Sequence, residues 1–234
     1  MKKIFLGVYF LITTVFLNAQ KFEQLTKLVA VDRAEGNQLG NAVAISGNYA
    51  IVGAAGMPEQ GFPGNCNCAY VFEKNSSGAW TQIQKLTSPD AHNTNGFGSS
   101  VAVSGNRIVI GAPQEDQDDK GGSALSAAGA AYVYERNSTG AWNFTKKLIS
   151  TDRGALHQFG HSVSISNARV LIGAPNQSAA YLYERIDAAN WKSWCKIIAP
   201  DEPTGTGFGT SVSISGEDMV ISAPGAKNDT TNVT

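Results

Sequence analysis

"FGSSVAVSGNRIVIGAP", Phe97 to Pro113, opens on Phe-Gly and closes on Gly-Ala-Pro, and between them apolar residues alternate with small or polar ones around a Ser-Gly-Asn turn. Period-two alternation broken by a turn reads as two short strands of a hairpin. The stretch returns three times, as "LGNAVAISGNYAIVGAA" from Leu39, "FGHSVSISNARVLIGAP" from Phe159 and "FGTSVSISGEDMVISAP" from Phe208. After the first three copies comes an aromatic strand: "AYVFEK" at Ala69, "AYVYER" at Ala131 and "AYLYER" at Ala180. A Trp strand follows each, "AWTQIQKL", "AWNFTKKL" and "NWKSWCKI".

The spacings decide the architecture. From the Phe or Leu to the first residue of the Gly-Ala pair is 14 residues in every copy, from Tyr to Trp ten, and from Trp to Leu or Ile six, so Trp191 rather than Trp194 is the repeat residue. Four residues further on stands Asp32, Asp90, Asp152 or Asp201. Only the step from Gly-Ala to Tyr varies, at 17, 21 and 8 residues. A rigid unit therefore carries one adjustable loop. In the second copy its four strands are expected at Ser100 to Ser104, Arg107 to Gly111, Ala131 to Glu135 and Trp142 to Leu148.

A repeated antiparallel four-stranded unit of this length is the signature of a β-propeller blade. The expected fold is all-β, with three complete blades and partial ones, in repeats near residues 39–90, 97–152, 159–201 and 208–234. The punctuation then has a physical role. Gly allows close backbone approach at the crowded inner strands, the neighbouring Phe fills the wedge between blades, and Pro ends the second strand because it has no N–H to donate.

Phe97, Gly98, Gly111, Ala112 and Pro113, with Phe159, Gly160, Gly173, Ala174 and Pro175, resemble FG-GAP repeats, the blades of the propeller heading integrin α subunits and of many secreted bacterial proteins. Phe208 and Gly209 open a further copy. Leu39 replaces Phe and Ala55 replaces Pro in the first copy, and Ser222 replaces Gly in the fourth. The resemblance implies a binding or adhesion role. The calcium sites of integrin-type blades are not carried over, because their loop lies between the first two strands, where this chain has only "SGN" or its equivalents.

"FEQLTKLVAVD", Phe22 to Asp32, matches "WTQIQKLTSPD", Trp80 to Asp90, and so reads as an outermost strand lacking the inner strands of its own blade. Two closures are open. The sequence is a fragment of a longer ring, or the N-terminal strand joins the two strands of the fourth copy in a compact closure.

The chain has 234 residues, a formal net charge of −1 and 42% hydrophobic residues, a balance with no basic excess for nucleic acid. Lys2 and Lys3, an apolar run from Ile4 to Leu17 and a small residue at Ala19 read as a signal peptide over residues 1–19, with the propeller occupying 20–234. The run is shorter than the roughly 20 residues that cross a bilayer, so no membrane insertion is expected after cleavage. The location expected is secreted or cell-surface. Cys66, Cys68 and Cys195 are too few for a disulfide framework or a closed zinc site, and one local disulfide or none is expected.

Strand order places the second-to-third and blade-to-blade connections on one face, which carries every variable loop, including Met57 to Cys68 and Gln114 to Gly129. Loops on a rigid scaffold are where binding concentrates. Glu115, Asp116, Asp118 and Asp119 are the candidate binding residues there. They lack the regular spacing of a calcium loop, so a solvated acidic loop is expected, with no metal and no cofactor. The repeated Asp is expected to form a turn by bonding nearby backbone N–H groups. His157 and His161 have helical zinc-motif spacing, but in a loop entering a strand.

No Ser nucleophile motif, phosphate-cradling Gly loop or recurrent acid pair appears. The expected role is a non-enzymatic module that presents its loop face to a protein or glycan at the cell surface. The alternative is an extracellular enzyme, or its accessory propeller, with catalytic residues in the loops or beyond Thr234.

Overall fold

The computed structural model describes residues 26–32, 36–56, 66–90, 95–122, 124–187, 190–200 and 204–227. Alternating residues form β1 (Val43–Ser46), β2 (Tyr49–Ala54), β3 (Cys68–Lys74) and β4 (Trp80–Thr87), which pair in that order as one antiparallel sheet. The second blade comprises β5 (Ser100–Ser104), β6 (Arg107–Ala112), β7 (Ala130–Arg136) and β8 (Trp142–Leu148). The third comprises β9 (Ser162–Ser166), β10 (Arg169–Ala174), β11 (Ala179–Arg185) and β12 (Trp191–Ile198). A two-stranded sheet, β13 (Val212–Ser215) with β14 (Asp218–Ile221), begins a fourth. The fold is all-β and built of propeller blades. No helix among the described residues is long and apolar enough to cross a membrane.

The blades follow one another in an arc, with the inner strands β1, β5, β9 and β13 touching in that order. Phe-Gly closes each hairpin: Gly98 N–H donates to Gly111 O at 3.1 Å, Gly160 N–H to Gly173 O at 3.1 Å and Gly209 N–H to Ser222 O at 2.9 Å. This bond accounts for the invariant spacing. The same glycines set the distance between blades. A Cβ on Gly53, Gly111 or Gly173 would lie closer than 3.0 Å to the carbonyl oxygen of Gly98, Gly160 or Gly209 of the next blade. Gly98, Gly160 and Gly209 hold φ of 96°, 90° and 95°, a left-handed conformation that glycine adopts without steric cost.

Phe97 and Phe159 are fully buried wedges between blades. Phe97 meets Tyr132 edge-on at 5.3 Å, within a cluster that joins Ile51 and Val71 of the first blade to Val101 and Ile110 of the second. Phe159 does the same with Tyr181 at 5.4 Å. Pro113 and Pro175 lie just past the ends of β6 and β10, and Pro175 starts a short 3-10 turn through Gln177.

Each third-to-fourth strand pairing carries a bulge, at Val71/Phe72, Val133/Tyr134 and Leu182/Tyr183. In the third blade the ladder passes from Cys195 to Ser193, so the intervening Trp194 is left unpaired and stands exposed. Trp191 begins β12 and packs against the seam between the second and third blades.

The N-terminal segment differs from the strand expected for it. Of Phe22 to Asp32 only 26–32 is described, and that part forms no ladder. A fourth strand needs a third strand of its own blade to accept its hydrogen bonds, and among the described residues no strand pairs with this segment. It still lies where a preceding fourth strand would: Leu28 and Ala30 pack on Val52, Tyr70 and Phe72. The inner strand beside it stays uncovered. Val43 and Ile45 are 70% and 68% exposed, whereas Val101 and Val103, one repeat later, are 8% and 9% exposed under the first blade.

Candidate binding face

The loops expected to share a face do so through direct contact. Gln114 to Gly129 lies against the connection entering the third blade: Leu156 N–H donates to Ser126 O at 2.7 Å, Gln158 N–H to Ala127 O at 3.0 Å and Phe159 N–H to Ala128 O at 3.1 Å. Arg153 adds a guanidinium bond to Asp116 O at 2.7 Å. The longest described variable loop is thus built into the surface. Residues 57–65 of the other long loop lie outside the described residues.

The four acidic candidates separate. Asp116 Oδ1 accepts the Ala127 N–H at 2.7 Å, and Asp118 Oδ1 accepts the N–H groups of Lys120 and Gly122 at 2.9 and 2.8 Å. These backbone bonds hold the Asp118 carboxyl below its ordinary value. Asp119 faces Lys146 at 3.9 Å. Glu115 corrects the expectation of a solvated acidic loop. It is fully buried, with Oε1 at 3.2 Å from Lys147 Nζ and Oε2 accepting from Asn95 at 2.9 Å and from the Tyr132 hydroxyl at 3.1 Å. A buried carboxylate persists only when paired and hydrogen-bonded, and Lys147 and Tyr132 supply those partners. Among the described residues no three His, Cys, Asp or Glu side chains are grouped to hold a metal ion.

The repeated Asp also needs correction. Asp90 Oδ2 accepts the Tyr132 hydroxyl at 2.6 Å and Lys147 Nζ at 2.7 Å. Asp152 accepts the Tyr181 hydroxyl at 2.5 Å and Lys196 Nζ at 2.8 Å. Asp32 accepts Lys85 Nζ at 2.6 Å and also bonds Tyr70. Each Asp leaves the fourth strand of one blade, or the segment in its place, and is held by the Tyr and Lys that face each other across β3–β4, β7–β8 or β11–β12 of the next. The Asp is an inter-blade tether because the seam brings a cation and a phenol closer than any turn amide. Asp201 lies outside the described residues.

Electrostatics follow this geometry. Burial raises the Tyr70, Tyr132 and Tyr181 hydroxyls far above the usual phenol range, and the bonds to Asp push the same way. Burial alone would raise Asp152, but the bonds from Lys196 and Tyr181 outweigh it and leave the carboxyl lowered. The sequence carried the signal in "QKL", "KKL" and "CKI", where a Lys recurs 15 residues after each Tyr.

The two histidines do not converge. His157 is half-buried against Gly154, and burial lowers its pKa, whereas His161 is exposed. Cys66 and Cys68 form a local disulfide, with Cα atoms 5.1 Å apart, and Cys195 is free and exposed.

Among the described residues, two open grooves lie on the loop face. One of about 520 Å³ runs between Asp118, Asp119, Lys120, Leu125, Ile149 and Arg153. The other, about 400 Å³, lies between the third and fourth blades and is lined by Gln158, His161, Pro175, Asn176 and Thr210. The opposite face carries grooves too, one of about 560 Å³ beside Lys74, Ser77 and Trp80 and one of about 300 Å³ beside Asn167, Arg169 and Glu217, but its connections are short and bonded blade to blade. Gly105 N–H reaches Ser46 Oγ at 3.5 Å, Asn167 N–H reaches Ser104 Oγ at 3.3 Å and Gly216 N–H reaches Ser166 Oγ at 3.0 Å, each from one blade to the previous.

Comparison with curated proteins finds no match. Among solved structures, the chain is similar to the Pseudomonas aeruginosa periplasmic gluconolactonase PpgL, with 14% identity and a TM-score of 0.45 over 76% of this chain and 40% of that one. Comparison with family models matches the FG-GAP repeat at residues 22–72, 80–134, 142–183 and 191–233. The second and third of these units run from the Trp strand of one blade to the aromatic strand of the next, so each spans the seam that its Asp tethers. Blades, seams and motif spacing agree, and the chain belongs to the FG-GAP repeat family.

Proposed function

We propose that this protein is a secreted or cell-surface binding module that presents the loop face of its propeller blades to a protein or glycan partner. One observation carries the reading: the length variation between blades is confined to the second-to-third strand connection, and the loop Gln114 to Gly129 is bonded into a surface holding two open grooves. Rigid blades with variation gathered at one end are the arrangement expected of a recognition scaffold. The Lys-Lys leader with its apolar run, and the Cys66–Cys68 disulfide, support an oxidising destination outside the cytoplasm. The reading assigns no catalytic residue.

The test is binding of the purified chain to arrays of immobilised glycans and extracellular proteins. It is set against a variant carrying Asp119→Ala, Lys120→Ala, Leu125→Ala and His161→Ala, none of which touches a seam tether. Partner capture by the native chain and its loss in the variant is the expected result. Equal capture by both would sink the reading.

A further inference from the structure

We infer that the groove between the third and fourth blades is a subsite for a neutral, polyhydroxylated ligand, the terminal sugar of an uncharged glycan. The inference rests on the loop-face binding role and narrows it to one groove and one ligand class. Its starting point is the residue that follows Phe-Gly or Leu-Gly in each repeat, at the entry of the inner strand: Asn41, Ser99, His161 and Thr210. Three of the four are bonded to backbone. Asn41 Nδ2 donates to Gly98 O at 3.3 Å while its Oδ1 accepts the Ala55 N–H at 3.2 Å, Ser99 Oγ donates to Gly96 O at 2.6 Å, and Thr210 Oγ1 donates to Gly207 O at 2.7 Å. His161 departs from this pattern: its ring is exposed and makes no hydrogen bond with the described residues, although its position in the repeat is the same.

The rest of the groove has the same unspent character. Asn176 Nδ2 is committed to Leu156 O at 2.9 Å, which leaves its carbonyl oxygen as an acceptor. Thr210 has spent its proton on Gly207 and keeps its lone pairs. The Gln158 amide offers both a donor and an acceptor. Among the described residues no Asp, Glu, Lys or Arg lines this groove. Among them an anionic ligand would meet no lysine or arginine and a cationic one no carboxylate. An apolar ligand would need broad hydrocarbon walls, and among the described residues lining the groove Pro175 is the one apolar side chain. Sugar hydroxyls both donate and accept, so they match this mixture without a charge to desolvate. The volume of about 400 Å³ falls within the ordinary size of a small-ligand site. The neighbouring groove is different: Lys146 already faces Asp119, and Asp118 is already satisfied by backbone amides.

The experiment measures binding of the full chain to an array containing neutral and acidic oligosaccharides, then titrates the best ligand against His161→Ala, Thr210→Val and, as a control on the exposed face of β12 away from both grooves, Lys192→Ala. Thermal melts of all three variants are recorded alongside. The expected result is binding of a neutral glycan, weakened about tenfold by His161→Ala through loss of one hydrogen bond, weakened by Thr210→Val, and unchanged by Lys192→Ala. Two variants that act through different groups guard against a single local distortion. Preference for acidic glycans, or neutral binding indifferent to both groove substitutions, overturns the inference. Capture of a protein partner with no glycan bound overturns it too but leaves the broader binding role standing. Capture of neither removes both.

Discussion

Lys147 Nζ lies 2.7 Å from Asp90 of the preceding blade and 3.2 Å from Glu115 of its own, so one lysine is shared between two carboxylates at the seam. It also sits 5.6 Å from the Tyr132 ring, whose hydroxyl bonds both acids. Removing the cation would strand Glu115, which is buried. Lys147→Met should therefore cost roughly 3–5 kcal/mol, read as a shifted urea midpoint. Glu115→Gln in the same background should recover part of that loss. An unchanged midpoint for Lys147→Met would show that the seam does not depend on its charge.

Glycine is required at two kinds of position for different reasons, and the difference is measurable. At Gly111 a new Cβ would collide with the Gly160 carbonyl of the next blade, whereas at Gly105 (φ 57°) nothing lies within 4 Å. Gly105→Ala should cost about 1 kcal/mol, the strain of a left-handed residue. Gly111→Ala must spread two blades and should cost roughly 1–3 kcal/mol of overpacking or more. Equal losses in thermal melts would mean that the seam has slack.

Exposure along the first inner strand makes a paired prediction. Val43→Asp should change stability by no more than about 0.5 kcal/mol, as surface substitutions do. Val101→Asp, the same change one repeat later, would bury an unpaired charge under the first blade and should prevent cooperative folding. Circular dichroism melts of the two variants decide it. A large loss at Val43 would mean that its face is covered in solution.

Acid stability should depend on the tethers. Asp152 has a lowered carboxyl pKa in the folded chain, so its stabilisation is complete above the ordinary carboxylate value near pH 4 and is lost as pH falls through the lowered value. Asp152→Asn should make the melting temperature less steep in pH below about 4 than in the native chain. At the alkaline end the sign reverses. Burial raises the Tyr183 hydroxyl to about 12, so its contribution is present below the ordinary phenol value near 10 and disappears as pH rises through the folded value. Tyrosinate absorbance appearing together with unfolding, rather than at the ordinary phenol pH, is the expected trace.

Much of the loop face could be read before the fold was known, because turn chemistry and loop length are local properties. The location of the variable loops followed from strand order alone. The state of their side chains did not. Glu115 stands in "PQEDQDDKGG" among three other acids, and nothing within that stretch distinguishes the one that turns inward. Its burial is set by Lys147, 32 residues away, and by Tyr132, brought over it by β7. His161 is similar: its place in the repeat was visible, but that its ring bonds none of the described residues became clear only beside the bonded side chains of Asn41, Ser99 and Thr210.

The blade, its four strands, the hairpin-closing glycines and the one adjustable connection are all legible in the order of residues, because period-two alternation and chain-reversing residues act over a few positions. Tertiary structure alone decided what happens between blades. The same Asp could have capped a turn or tethered a seam, and the choice went to the seam because Tyr and Lys of the next blade arrive there with a hydroxyl and a charge. Those partners lie 29 to 57 residues distant along the chain, and only packing one blade against another brings them within a hydrogen bond's length.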